Sequence, residues 1–211
     1  MLAKLPQGDW LQLPTVCEQA TLEMIHAMVC EFAGRLGGVV LDSVGQLGMD
    51  WTVPYAAGAG IPVMNRRAAA FLLEQGCQFV TASQELSGTE LAVLTEGRSG
   101  IVVPVWGRVR LMLLHHCPAR TAMGLRSGHR DCRMCDENAP DCLRGQCLTD
   151  RMGYRFPLQR LRLPEGCLAE LLNARVTDIT EPARKAGFVP MVSLTGPDGE
   201  KTSGHWNRPV E

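Results

Sequence analysis

The sequence predicts an α/β fold: a partial (β/α) barrel-like parallel sheet, a cysteine-rich irregular cap and a C-terminal β-hairpin. Three observations carry this expectation. Short apolar runs alternate with helical periodicity through the first half of the chain. Six of the nine cysteines fall between Cys117 and Cys167, where no hydrophobic period is visible. Near the C terminus, Gly196-Pro197-Asp198-Gly199 separates two extended runs, as a hairpin turn does. By composition the segments divide as an α/β half-barrel over 1–116, a cysteine-rich region over 117–175, and a C-terminal helix and hairpin over 176–211 that pack on the same core.

The elements follow in order. Leu22, Ile25, Val29, Phe32 and Leu36 recur at helical spacing, so Thr15 to Arg35 reads as a helix that Thr15 caps and Gly37-Gly38 ends. Val39-Val40-Leu41 is a short strand. A loop marked by glycine and proline runs from Gly45 to Gly60. Ile61 to Met64 reads as a strand ending at Asn65, and Arg66 to Gln75 as a helix stopped by Gly76. Gln78 to Thr81 is a strand. Ser87-Gly88-Thr89-Glu90 has the spacing of a capping box for a helix through Glu96. Gly100 to Trp106 and Arg108 to His115 are further β-runs. Beyond the cysteines, Arg155 to Leu158 is extended, and Leu168 to Asn173 fits helix or strand equally. Thr180-Glu181-Pro182 opens a short helix with proline in its first turn. These units amount to half of an eight-stranded barrel, so either the sheet is open or the barrel's first half lies outside this chain.

Composition bounds the function. At 211 residues, with 45% apolar and 20% charged residues, the chain can bury one sizeable core and is a globular protein. Its start lacks the pattern of a secretory signal, and Val16 to Leu36 carries too many charges to span a bilayer. The expected location is cytoplasmic. An odd cysteine count in a reducing compartment argues against a disulfide framework. Cys17, Cys30 and Cys77 stand in patterned segments and read as small hydrophobes.

The chemistry concentrates between residues 108 and 162. Eleven arginines there face five acidic residues, a local formal charge of +6 in a chain whose net charge is −1. Such a surface suits RNA phosphates or a small anionic substrate, or it is a solvated face that also balances thiolates. Tyr154, Phe156 and Trp106 are the few aromatics able to stack bases. Cys132-x2-Cys135-x6-Cys142-x4-Cys147 is a compact set that could hold tetrahedral zinc, and spacing alone favours that reading.

Longer motifs change the balance. Gly60 to Asn65, Ser83 to Leu86, Gly107 to Met112, Cys117-Pro118, the Cys132/Cys135 pair, Leu148 to Gly153, Phe156-Pro157-Leu158 and Cys167 to Asn173 occur in one order across roughly residues 38–175. On these the chain resembles peptidase family U thirty-two, the collagenase-like peptidases. The resemblance implies a (β/α) barrel-like catalytic domain and a [4Fe–4S] cluster held by four cysteines. It also implies oxygen-independent hydroxylation of tRNA or ribosomal RNA bases or of the ubiquinone ring, in some cases with prephenate. Its ligand positions fall on Cys117, Cys132, Cys135 and Cys167. Two departures stand out: the central pair is separated by two residues where several relatives have three, and Cys142 and Cys147 are extra. The match also begins well inside the family's barrel, so the chain resembles the C-terminal half of the catalytic domain. A partner chain, a missing N-terminal half or self-association is then expected to cover a sheet edge.

Arg108, Arg110 and His115 are the substrate-side candidates, with His116 beside them. Asp42, Asn65, Ser83 and Glu85 lie at predicted strand ends, where a barrel carries its chemistry; helix capping explains Asn65 and Ser83 equally well. His205 has no identifiable partner. No Gly-x-Ser-x-Gly elbow and no His-Glu-x-x-His pair is present, so a collagenase-like peptidase activity rests on the family resemblance alone. The expected function is an iron–sulfur protein in oxygen-independent hydroxylation of an RNA base or a small aromatic molecule. A peptidase and a zinc-binding nucleic-acid module are the alternatives.

Overall fold

The structure is a computed structural model describing residues 6–122, 124, 145–163, 166–188, 190–192 and 199–207. It is mixed α/β and folds as two compact units, Met1–Val105 with Ile179–Val192 and Ser203–Glu211, and Trp106–Asp178 with Ser193–Thr202.

The first unit carries a parallel sheet. Strands β1 (Trp10–Gln12), β2 (Gly38–Leu41), β3 (Tyr55–Ala57), β4 (Val80–Thr81) and β5 (Ile101–Gly107) lie side by side in chain order. Helices α1 (Gln19–Glu31), α2 (Arg66–Glu74) and α3 (Gly88–Thr95) make the crossovers, with a 3-10 helix at Val44–Gly48 between β2 and β3. A parallel sheet needs cover on both faces, and the central strands β2 and β3 are accordingly apolar and largely buried, whereas β1 has exposed Trp10 and Gln12. Val39, Leu41, Ala57 and Val80 are fully buried and join Val29, Leu72, Leu91 and Leu94 of the helices in one core, and Ala56 is fully buried as well. Helix α5 (Thr180–Lys185) adds Ala183 to that core, and β11 (Pro190–Val192) pairs with β5.

Two caps match the sequence rules closely. Asn65 Oδ1 accepts from the amides of Arg67 and Ala68 at 3.1 and 3.0 Å, which makes it a helix cap. Ser87 and Glu90 form the expected box: Ser87 Oγ accepts from the Glu90 amide at 3.3 Å, and Glu90 accepts from the Ser87 amide and hydroxyl at 2.8 and 2.6 Å. Those two bonds hold the Glu90 carboxyl below its ordinary pKa, the Ser87 hydroxyl contributing most.

Several expectations need correction. Thr15 does not cap α1. That helix starts at Gln19 behind an uncapped Glu18, because the Thr15 hydroxyl donates to Asp42 Oδ2 instead. The ladder strand after the first loop is Tyr55–Ala57, not Ile61 to Met64; the latter supplies only the bridge Val63↔Ala82. Pro62 has no amide to donate to a ladder, whereas Ala56 and Ala57 are small enough to let their neighbours close in. The strands form no closed barrel among the described residues. The expected terminal hairpin is also replaced: β11 pairs with β5, and β12 (Lys201–Thr202) lies parallel to β10 (Val176–Asp178).

The second unit is largely antiparallel. Strands β6 (Arg110–Leu114), β7 (Cys147–Thr149), β8 (Arg155–Leu163) and β9 (Gly166–Leu172) form a sheet in the order β6-β9-β8-β7. Helix α4 (Pro118–Ala122) follows β6. Leu158 and Ala169 are buried at the centre of one small apolar cluster, against which Leu114, Cys117, Ala119 and Leu171 pack. The segment Leu148 to Gly153 holds the end of β7 and most of the β7–β8 turn. Asp150 Oδ1 accepts from the amides of Met152 and Tyr154 at 2.8 and 2.9 Å, and Gly153 takes the positive φ of 85° that the turn requires. Elsewhere in this unit Thr177 and Asp178 pair antiparallel with Gly107 and Trp106.

Asp42 organises the C-terminal end of β2. Its side chain is 1% exposed, Oδ1 accepts from the Gly60 amide at 2.7 Å, and its own amide donates to Gln46 Oε1 at 2.8 Å. A Cβ at Gly60 would lie 2.2 Å from the Asp42 carbonyl oxygen, so only glycine allows this approach. Asp42→Ala is expected to lower stability by about 2–3 kcal/mol, since it strands the Gly60 amide and the Thr15 hydroxyl; urea unfolding measures it. Ser87→Ala should cost about 1 kcal/mol at neutral pH. Because Glu90's pKa is lowered in the fold, the Glu90 contribution is fully present above the ordinary carboxylate range. It is lost as pH falls through the lowered value, so the Ser87→Ala penalty should shrink below about pH 4.

Candidate metal centre

Register decides which sulfurs can meet. In the antiparallel sheet Arg110 stands opposite Leu172 and Leu114 opposite Ala169, with a register shift between Arg110 and Met112. Cys117 lies three residues beyond Leu114 and Cys167 two residues before Ala169, so both chains reach the same end of the sheet. Cys167 faces Arg162 across β8–β9. Cys117 is half-buried at the start of α4, where its carbonyl accepts from the Thr121 amide at 3.1 Å. Two sulfur-bearing positions separated by fifty residues of chain are thereby brought to one sheet end. Cys132, Cys135 and Cys142 lie outside the described residues.

Cys147 goes elsewhere. It stands opposite Pro157, and the neighbouring pair Leu158↔Leu171 places this position at the Leu172 end of the sheet. Five residues of β9 separate that end from Cys167, about 17 Å at strand rise. The Cys147 sulfur accepts from Arg155 Nε at 3.2 Å, and this contact raises the guanidinium pKa above its ordinary value. No group of three or more His, Cys, Asp or Glu side chains able to hold a metal ion occurs among the described residues.

The residues at the Cys117 end fit an electron-rich sulfur ligand set. Arg120 is three positions beyond Cys117 on α4, and its Nε and Nη2 are buried with no hydrogen-bond partner among the described residues. Arg160 and Arg162 stand opposite Ala169 and Cys167 on β8. Four thiolates around a cluster carry net negative charge, and guanidinium groups offset it.

The substrate-side candidates are not gathered together. Arg108 is 6% exposed, and its Nη1 donates to the carbonyls of Asn173 and Ala174, both at 2.7 Å. Arg110 pairs with the nearly buried Glu170 at 3.3 Å. His115 and His116 are exposed beyond β6, at the Cys117 end, about 17 Å along the strand from Arg110. Arg108 instead lines a cavity of about 1000 Å³ with Cys147, Arg155, Gln159, Arg160 and Glu200. In the first unit Ser83 Oγ accepts from the Glu85 amide at 3.3 Å, a local turn, and Glu85 is exposed, as is His205. Sequence reasoning missed the orphaned Arg120 nitrogens and the Arg155–Cys147 contact. The arginine excess was their only signal, and it could not say which guanidinium is buried.

The thiols are sorted by burial. Burial pushes the Cys77 thiol pKa up, while Cys30 is exposed and Cys117 and Cys147 are half-buried. Under native, metal-free conditions, among the five described cysteines, a maleimide should label Cys30 first and Cys77 last, with Cys77 labelled only on unfolding; peptide mass mapping over time checks the order. Comparison with known proteins adds nothing to this geometry: no protein-family model, curated protein or solved structure matches the chain.

Proposed function

We propose that this chain is an iron–sulfur protein in which Cys117, Cys132, Cys135 and Cys167 hold one [4Fe–4S] cluster, and that it takes part in oxygen-independent hydroxylation of an RNA base or a small aromatic molecule. The β6–β9 register carries the reading: it brings the chain at Cys117 and at Cys167 to one end of the sheet. The Cys132/Cys135 pair begins fifteen residues beyond Cys117, ample chain to return to that end. The reaction class rests on the resemblance of the chain's motifs to those of peptidase family U thirty-two.

When bound, such a cluster supplies one-electron transfer. Four cysteine ligands would leave no iron open to substrate, so the protein's own contribution is to hold the thiolates deprotonated and to offset their charge with nearby guanidinium groups. The same excess of arginine suits an anionic substrate, RNA phosphate included. Among the described residues the parallel sheet ends at β1, a three-residue strand paired with β2 alone, and a partner chain or second copy would cover its other edge.

A zinc-binding nucleic-acid module would use Cys132, Cys135, Cys142 and Cys147 instead, and a collagenase-like peptidase would tolerate loss of all of them. Anaerobic reconstitution with iron and sulfide separates the three. Cys117→Ala, Cys132→Ala, Cys135→Ala and Cys167→Ala should each reduce bound iron and the broad visible absorption at least severalfold, whereas Cys142→Ala and Cys147→Ala should retain both. Bound zinc that survives Cys117→Ala and is lost in Cys147→Ala would sink the iron–sulfur reading.

A further inference from the structure

We infer that the cavity lined by Arg108 and Cys147 binds a small organic phosphate. It has a volume of about 1000 Å³, within the size range of small-molecule pockets. All the residues that line it belong to the second unit, and none is a proposed cluster ligand. Binding here therefore goes beyond the iron–sulfur reading and stands without it.

The cavity wall is cationic. Arg108, Arg155 and Arg160 stand against a single described carboxylate, Glu200, a formal charge of +2. Glu200 is already engaged from outside the cavity, its Oε1 accepting from Arg175 Nη2 at 3.0 Å. Arg108 is 6% exposed, and its Nη1 donates at 2.7 Å to the carbonyls of Asn173 and of Ala174. Those acceptors are uncharged, so they orient the guanidinium without cancelling its charge. Arg155 is oriented too, its Nε donating to the Cys147 sulfur at 3.2 Å. A Cβ at Gly199 would collide with Arg108 Nη2, so glycine there lets the wall close on the guanidinium.

Position and charge select the ligand. Arg155, through Cys147, and Arg108, through the carbonyl of the residue after Leu172, both stand at the Leu172 end of the sheet. Arg160 is five residues from Arg155 along β8, about 17 Å at strand rise, so a single oxyanion is served by the first two. One guanidinium fork already pairs both oxygens of a carboxylate. A phosphate monoester has three terminal oxygens and nearly two negative charges, enough for two forks. Leu158 and Leu172 give the organic part apolar contact, and Arg160 adds a cation farther along β8.

The test is calorimetric titration of the full chain with inorganic phosphate, phenyl phosphate and benzoate, at one ionic strength held with sodium chloride. One inorganic phosphate should bind per chain, and phenyl phosphate should bind more tightly through the apolar wall. Arg155→Gln, a change at an exposed side chain, should weaken both about tenfold, as for one lost charge-assisted hydrogen bond. Arg66→Gln, in the first unit, should change neither. Bound phosphate should also slow maleimide labelling of Cys147 severalfold and leave Cys30 unaffected. Absence of phosphate binding overturns the inference, as does binding that Arg155→Gln leaves unchanged or that Arg66→Gln weakens equally. Cys147 labelling indifferent to bound phosphate overturns the location. Benzoate binding more tightly than phenyl phosphate overturns the phosphate assignment, and phenyl phosphate binding no more tightly than inorganic phosphate overturns the organic one.

Discussion

The hydrogen-bond register of β6, β9 and β8 is the constraint on which the candidate site depends. Leu114↔Ala169 and Leu158↔Leu171 fix three strands against one another and put Leu158 and Ala169 at the centre of their apolar cluster. Strand side chains alternate faces, so a slip of one residue would turn that cluster out to solvent. The antiparallel direction and register of β6 against β9 put the positions of Cys117 and Cys167 at one end of the sheet. The short turn at Asp150 to Tyr154 then joins β7 to the free edge of β8 and sends Cys147 the other way. A hydrophobic choice thus sorts the sulfurs before any metal chemistry begins.

A different device orders the parallel unit. Asp42 is a buried carboxylate at a strand end, the kind of position that carries catalysis in many barrels. Here its acceptors are used on the chain itself, by Thr15 and Gly60, while Gln46 bridges the Asp42 amide and the Pro14 carbonyl, the latter at 2.7 Å. Gly60 supplies the missing Cβ that lets the loop close on the carboxylate. The segments before α1, after β2 and after β3 are tied together at one buried carboxyl group. That is a structural use of a residue type that sequence position alone would assign to chemistry.

The arginine excess likewise divides into separate tasks. Arg108 supports backbone carbonyls at Asn173 and Ala174, Arg110 neutralises Glu170, and Arg175 pairs with Glu200 at 3.0 Å and lies 5.3 Å from the Tyr154 ring centroid. Counting charges over residues 108–162 merges the roles of Arg108 and Arg110, and leaves out Arg175. Only the contacts tell them apart: among the described residues Arg120 Nε and Nη2 and Arg175 Nε are buried donors with no hydrogen-bond partner.

Much of the fold was legible in the chain. The periodicity of α1 and α2, the Asn65 and Ser87 caps, the stop at Gly76 and the strands at β2, β4, β5 and β6 follow local rules, because a cap or an amphipathic face is settled within a few residues. Strand β3 was not legible, since Ala56 and Ala57 carry no strand signal and owe their place to close packing. Strand β9 was ambiguous between helix and strand until its partners settled it. The C-terminal runs looked like each other's partners, but β11 pairs with β5 and β12 with β10. The sequence by itself determined the alternation of elements, the clustering of cysteines and arginines, and the local caps. The tertiary structure decided which strands pair, and with them which sulfurs approach, which carboxylate is buried and which guanidinium is left over. The reason is that pairing between strands distant in the chain is selected by the surface they bury together, and no single segment encodes that surface.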